Sequence, residues 1–195
     1  LTWLNDTINF NVIAIKNPAD NRRVKFKLTS NASSVIPELT TSGSYDVYDN
    51  EKWNFAFRLR PTKAISNQLI KPHSSLANDV DGSLLPADTA YTVEFYGVNY
   101  VSDYLQNEFT LSATISETDA RAFFTKAKRV YAGAHRTNYN GTLIRASDAK
   151  ISSVAMWYDY LNDEDIKAHA RDASNFGRQH PYKNAAFNEA NVAGM

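Results

Sequence analysis

The sequence predicts an all-β protein, a two-sheet antiparallel β-sandwich with one short helix near residues 163–172. Three observations lead there. Apolar and polar residues alternate with period two, as in Ile8, Phe10 and Val12 against Asn9 and Asn11, and in Val24, Phe26 and Leu28 against Lys25 and Lys27. Aromatic residues are abundant, with 11 Tyr, 10 Phe and 3 Trp, and these types suit a pleated surface. The links between apolar runs are rich in turn formers rather than helical, which favours stacked sheets over βαβ units.

Along the chain, the clearest strand sets Trp53, Phe55, Phe57 and Leu59 against Asn54, Ala56, Arg58 and Arg60. Four large apolar groups on one face are what a sheet packed on a core requires. Pro61 lacks an amide hydrogen and ends that run. Pro72 and Pro86 argue against long central strands between them, where Asp81-Gly82 offers a tight turn. Alternation resumes at Tyr91, Val93 and Phe95, and again at Phe109, Leu111, Ala113 and Ile115. A strand is expected after 129, then a loop holding Asn138, Asn140 and Gly141, and a short strand near Leu143 and Ile144. A further strand is expected from Ile151 to Tyr158, apolar on both sides and so covered rather than an edge. The helix follows: Asn162 can cap it, Asp163, Glu164 and Asp165 put negative charge on its first turn, and Leu161 and Ile166 have staple spacing. It ends near Asp172.

The chain's 195 residues suffice for one sizeable core. The expected organisation is a single domain over 1–187, with 188–195 a tail or the lead into a further segment; the chain reads as one module of a larger polypeptide, or equally as a trimmed or processed protein. Lys and Arg total 21 and so do Asp and Glu, which implies no net pull toward nucleic acid or an anionic membrane; Lys126, Lys128 and Arg129 read as a solvated strand or hairpin face. Cysteine is absent, excluding disulfides and thiolate chemistry. No run approaches the roughly 18 apolar residues of a spanning helix. Asn5, Asn31 and Asn140 head Asn-x-Ser/Thr triplets.

The segment from Gly133 through Trp157 to Ile166 resembles the closing portion of laminin G-like, concanavalin-like jelly-roll domains: a hairpin glycine at Gly141, a strand at Ile151 and Val154, an aromatic at Trp157, and an acid-rich helical turn over Leu161–Ile166. Trp53–Leu59 is similar to an earlier strand of such domains. The run from Asp159 to Gly177 resembles versions of the domain in long structural proteins of large viruses and tailed phages. The resemblance implies a location in a virion or on an extracellular surface structure, and partners that are other structural proteins or further copies. It also implies the two tryptophans as core residues.

Enzymatic chemistry finds no foothold in the residues. Sugar hydrolases of this fold family resemble one another in a Glu-x-Asp-x-x-Glu strand, whereas Glu94 is the one acid of the Tyr91–Tyr96 strand. His73, His135, His169 and His180 are scattered, and no nucleophile elbow or phosphate loop is present. The expectation is therefore a non-catalytic assembly module acting through protein contacts. The alternative is a glycan-binding attachment domain. For that, Tyr96, Tyr100, Tyr104, Tyr131 and Tyr139 are stacking candidates beside Asn99, Asn138 and Asn140, with His135 next to the same loop. The resemblance further implies that calcium can sit at a sandwich rim, for which Asp46, Asp49, Asn50, Asp79 and Asp81 supply oxygens; as plain residues they read equally as polar turns.

Overall fold

The structure is a computed structural model of the chain; it describes residues 2–3, 8–48, 51–62, 90–147, 149–157, 160–172 and 174. Antiparallel strands dominate it. Long hairpins form the frame: β2 (Asn9–Asn17) with β3 (Asp20–Ser30), and β7 (Tyr91–Val101) with β8 (Tyr104–Ile115). The first turns at Pro18-Ala19, where the Asn17 side chain accepts a bond from the Ala19 amide at 3.1 Å. The second turns at Ser102-Asp103, both at positive φ (48° and 68°), the backbone of the tight turn whose twist matches the strands it joins.

Strand β6 (Lys52–Pro61) pairs with β7 along its whole length and completes a three-stranded sheet ordered β6-β7-β8. The larger sheet is built on β2 and β3. Beside β3 lie β4 (Leu39–Thr40) and β5 (Tyr45–Asp46); beside β2 lies β1 (Thr2–Trp3), which also pairs with β9 (Arg129–Val130). The two sheets stack as a sandwich. Phe10, Val24, Phe26 and Leu28 of one meet Val93, Phe95, Phe109 and Ile115 of the other in a single core cluster. These are the alternating positions of the sequence, and Trp53, Phe57 and Leu59 pack against them as their pattern requires.

Gly97 sits opposite Phe109 because nothing larger fits: an added Cβ would come within 2.4 Å of that ring. The ring itself is wedged among Phe26, Tyr45, Trp53 and Phe95. The glycine thus lets an aromatic side chain lie across the sheet backbone.

Helix α2 (Asp163–Arg171) forms as expected, with the Asn162 side chain accepting from the Asp165 amide at 2.8 Å. A second helix, α1 (Glu117–Thr125), corrects the expectation of one. Ser116 caps it through the Asp119 amide, Arg121 pairs with Glu117 one turn away, and Ala120 and Phe123 close one end of the core. The expected strand Ile151–Tyr158 is a second correction. Residues 151–157 join no sheet, and Ile151, Val154 and Met156 are exposed. Among the described residues they form no ladder with any strand, since an apolar pattern supplies a face but not a neighbouring edge. Trp157 nonetheless packs on a second cluster, described next. The Asp81-Gly82 turn, the Pro72 to Pro86 link and the tail 188–195 lie outside the described residues.

Candidate functional site

The outward face of the β6-β7-β8 sheet is polar in sequence at Arg58, Arg60 and Glu94, yet it is not open to water. Helix α2 covers it, and Tyr96, Val98 and Tyr100 pack with Leu161, Ile166 and Ala170 into the second cluster. At its margin lies a buried charge network. Arg58 and Glu94 are cross-strand partners, their side chains 6% and 7% exposed, with Nε and Oε2 3.1 Å apart. That contact is a charge pairing without hydrogen-bond alignment, for the Arg58 Nε–H finds no acceptor. Arg58 Nη1 donates to the Leu161 carbonyl at 3.1 Å and to Asp163 at 2.6 Å. Its guanidinium lies between the rings of Tyr96 and Tyr160. Glu94 accepts two bonds from Arg60 on one oxygen and one from the Tyr160 hydroxyl on the other.

This arrangement clamps the start of α2 to the sheet. Glu94 engages Arg60 through one oxygen and the Tyr160 hydroxyl and the Arg58 charge through the other. Tyr96 donates to Glu108 at 2.7 Å; burial first, and that bond second, push its phenol far above the ordinary tyrosine value. Burial likewise raises Tyr160. Both hydroxyls stay neutral donors. Arg58, Tyr160 and Asp163 were not singled out as a site by the sequence. The available signal was an arginine and a lone glutamate at facing strand positions, each too polar for a covered sheet unless paired.

Of the nine candidate ligand residues, Tyr104 is exposed at the start of β8; the other eight separate into two groups. Tyr96 and Asn99 are fully buried and Tyr100 is buried too. Asn99 donates to Glu51 and the Lys52 carbonyl and accepts from Asn107, while the Arg171 guanidinium lies 5.2 Å from the Tyr100 ring centroid. These three hold the sheet and helix together and present no rim.

The other five gather around one hairpin formed by β10 (Ala134–Arg136) and β11 (Leu143–Ala146). Its turn depends on Gly141, where a Cβ would stand 2.9 Å from the Asn138 backbone nitrogen. The Asn138 side chain accepts from the Asn140 amide at 3.1 Å. Tyr131 donates to the Tyr139 carbonyl at 2.8 Å, and Arg136 lies over the Tyr131 ring while donating to the Gly141 carbonyl. Arg129 lies over Tyr139 and bonds the Asn140 side-chain oxygen. His135 is exposed opposite Arg145. The hairpin is therefore a preset surface of guanidinium, amide and phenol groups.

Of the calcium candidates, Asp46 lies 3.5 Å from Arg23 Nε; Asp49, Asn50, Asp79 and Asp81 lie outside the described residues. Among the described residues no group of three His, Asp or Glu side chains converges as a metal site, and no helix is long and apolar enough to cross a membrane.

Fold and surface together define an antiparallel β-sandwich with one helix-covered outer face and one projecting basic hairpin. Comparison with family models, curated proteins and solved structures found no match.

Proposed function

We propose that this domain is a non-catalytic assembly module of a virion or other large surface structure, acting through contacts with other structural proteins or with copies of itself. One observation carries the reading. Among the described residues, 149–157 run without a ladder partner, and Ile151, Val154 and Met156 are 49%, 63% and 58% exposed. Apolar surface in water costs roughly 25 cal/mol per Å², and several large apolar side chains exposed along one short segment favour a contact surface. The resemblance of the Asp159–Gly177 run to versions of such a domain in viral structural proteins supports the setting.

Sedimentation velocity across a range of concentrations tests self-contact. The native chain is expected to associate as concentration rises, and a Val154→Lys, Met156→Lys variant to remain monomeric with an unchanged unfolding midpoint. Equal behaviour of the two, with both monomeric throughout, counts against assembly from copies through this segment.

A second reading, glycan attachment, is favoured by the gathering of Tyr131, His135, Asn138, Tyr139 and Asn140 at one hairpin. Its test is a glycan array probed with a multimerised copy, first with calcium and then with chelator. Selective binding supports attachment, and its loss on chelation adds a rim calcium. Silence from a folded protein in both conditions removes the reading for the glycans displayed.

A further inference from the structure

We infer that the outer edge of β11 receives an extended acidic segment of a partner protein as a third strand on the β10-β11 hairpin. The inference rests on the protein-contact reading and names the partner's chemistry.

Among the described residues β10 and β11 form a sheet of two strands only, a unit that is marginal in water until a third strand or a covering layer joins it. All four β11 residues are exposed, with Leu143 and Ile144 each at 52%. No described strand pairs with β11 on its far side, so that edge is a template for strand addition.

Charge selects the occupant. Residues 126–150 hold six of the chain's 21 Lys and Arg and only one of its 21 acids, Asp148, which lies outside the described residues. Among the described residues none of those six cations is ion-paired, whereas Arg23, Lys27, Arg58, Arg60, Arg121 and Lys167 each are. A protein with no net charge thus carries a sequence stretch rich in cations that includes Arg145 on the open strand itself. Asn138 and Asn140 spend their side-chain oxygens on the Asn140 amide and on Arg129, so what their side chains have left to offer a ligand is donors.

Register refines the match. The register shifts by one residue at Ile144, so Arg145 lies on the His135 face and Leu143 on the opposite, Arg136 face. A partner strand alternating carboxylates with aliphatic groups would meet Arg145 and His135 on one face and Leu143 on the other. A nucleic acid would answer the charge but neither the apolar groups nor the backbone edge.

The test uses the full chain and a fluorescein-labelled peptide of alternating Glu and Val. A peptide with Gln in place of Glu and a single-stranded DNA oligonucleotide serve as comparisons. The acidic peptide is expected to bind with an affinity that falls as salt rises, and to slow amide exchange over residues 143–146. Arg145→Glu with Lys150→Glu is expected to weaken binding at least about tenfold, since each lost charge-assisted bond matters on that scale. Lys16→Glu, on another strand, is expected to change nothing. Equal binding of the Gln peptide, unaltered exchange at 143–146, indifference to the charge reversal, or tighter binding of the DNA each overturns the inference. Self-association through Val154 and Met156 alongside any of those results leaves the protein-contact reading standing.

Discussion

Replacing Glu94 by Gln is expected to destabilise the fold by about 3–5 kcal/mol, the range for breaking a buried ion pair from one side. The substitution keeps the shape of the side chain and removes its charge. Arg58, 6% exposed, would then face Arg60 with no carboxylate between them, and only the Asp163 and Leu161 contacts would remain to it. Because those two acceptors belong to the start of α2, the loss should reach the helix. Urea denaturation measures the total, and amide exchange over 163–171 locates it. Arg60→Met is the contrast: Arg60 is 39% exposed, so water screens its pairing and the expected cost is under about 1 kcal/mol. Similar costs for the two variants would show that burial does not govern this network.

Phe26→Ala is expected to cost about 3–5 kcal/mol as well, through a cavity rather than a charge. Phe26 is 3% exposed, and its ring lies 4.7 Å from both Trp53 and Phe55 and 5.8 Å from both Tyr45 and Phe109. Those neighbours come from both sheets, and each is fixed by its own backbone ladder, so they have little freedom to collapse into the vacated space. Trp53 is further held by a bond from its indole nitrogen to the Asp46 carbonyl. The urea midpoint should fall with the denaturant slope unchanged, and loss of near-ultraviolet dichroism from the aromatic cluster should track it. A cost below about 1 kcal/mol would mean the cluster repacks freely.

Both variants probe features that the sequence disclosed to different degrees. Phe26 was legible because alternation with Lys25 and Lys27 needs no knowledge of distant residues; strand faces are a local property. Helix α2 was legible for the same reason, through Asn162 and the three acids after it. Helix α1 was not, because Phe123 and Phe124 resemble strand residues when read locally, and the Ser116 cap is a single hydroxyl. The extended segment 151–157 shows the opposite failure, since a strand pattern specifies a face but not the presence of a neighbour. Tyr96, Asn99 and Tyr100 illustrate the same limit for the site. A tyrosine at a strand position reads alike at an open rim or under a helix, and the covering helix lies more than sixty residues further along the chain. The hairpin residues 131–140 were found together because their association is local.

The order of strands has a consequence for how the chain reaches its folded state. The β2-β3 and β7-β8 hairpins close over short loops and can form as soon as their residues are available. The β1-β9 pairing, by contrast, joins Thr2 and Trp3 to Val130 and Arg129, and α2 returns from residue 163 to cover β6 and β7. Long separations of this kind slow folding, because chain entropy is lost before the contact rewards it. During synthesis the β6-β7-β8 sheet therefore exists for some time with Tyr96, Val98 and Tyr100 uncovered. Chains ending before residue 163 should be the ones that aggregate or recruit chaperones, and the late helix acts as the seal that withdraws this sheet from other chains.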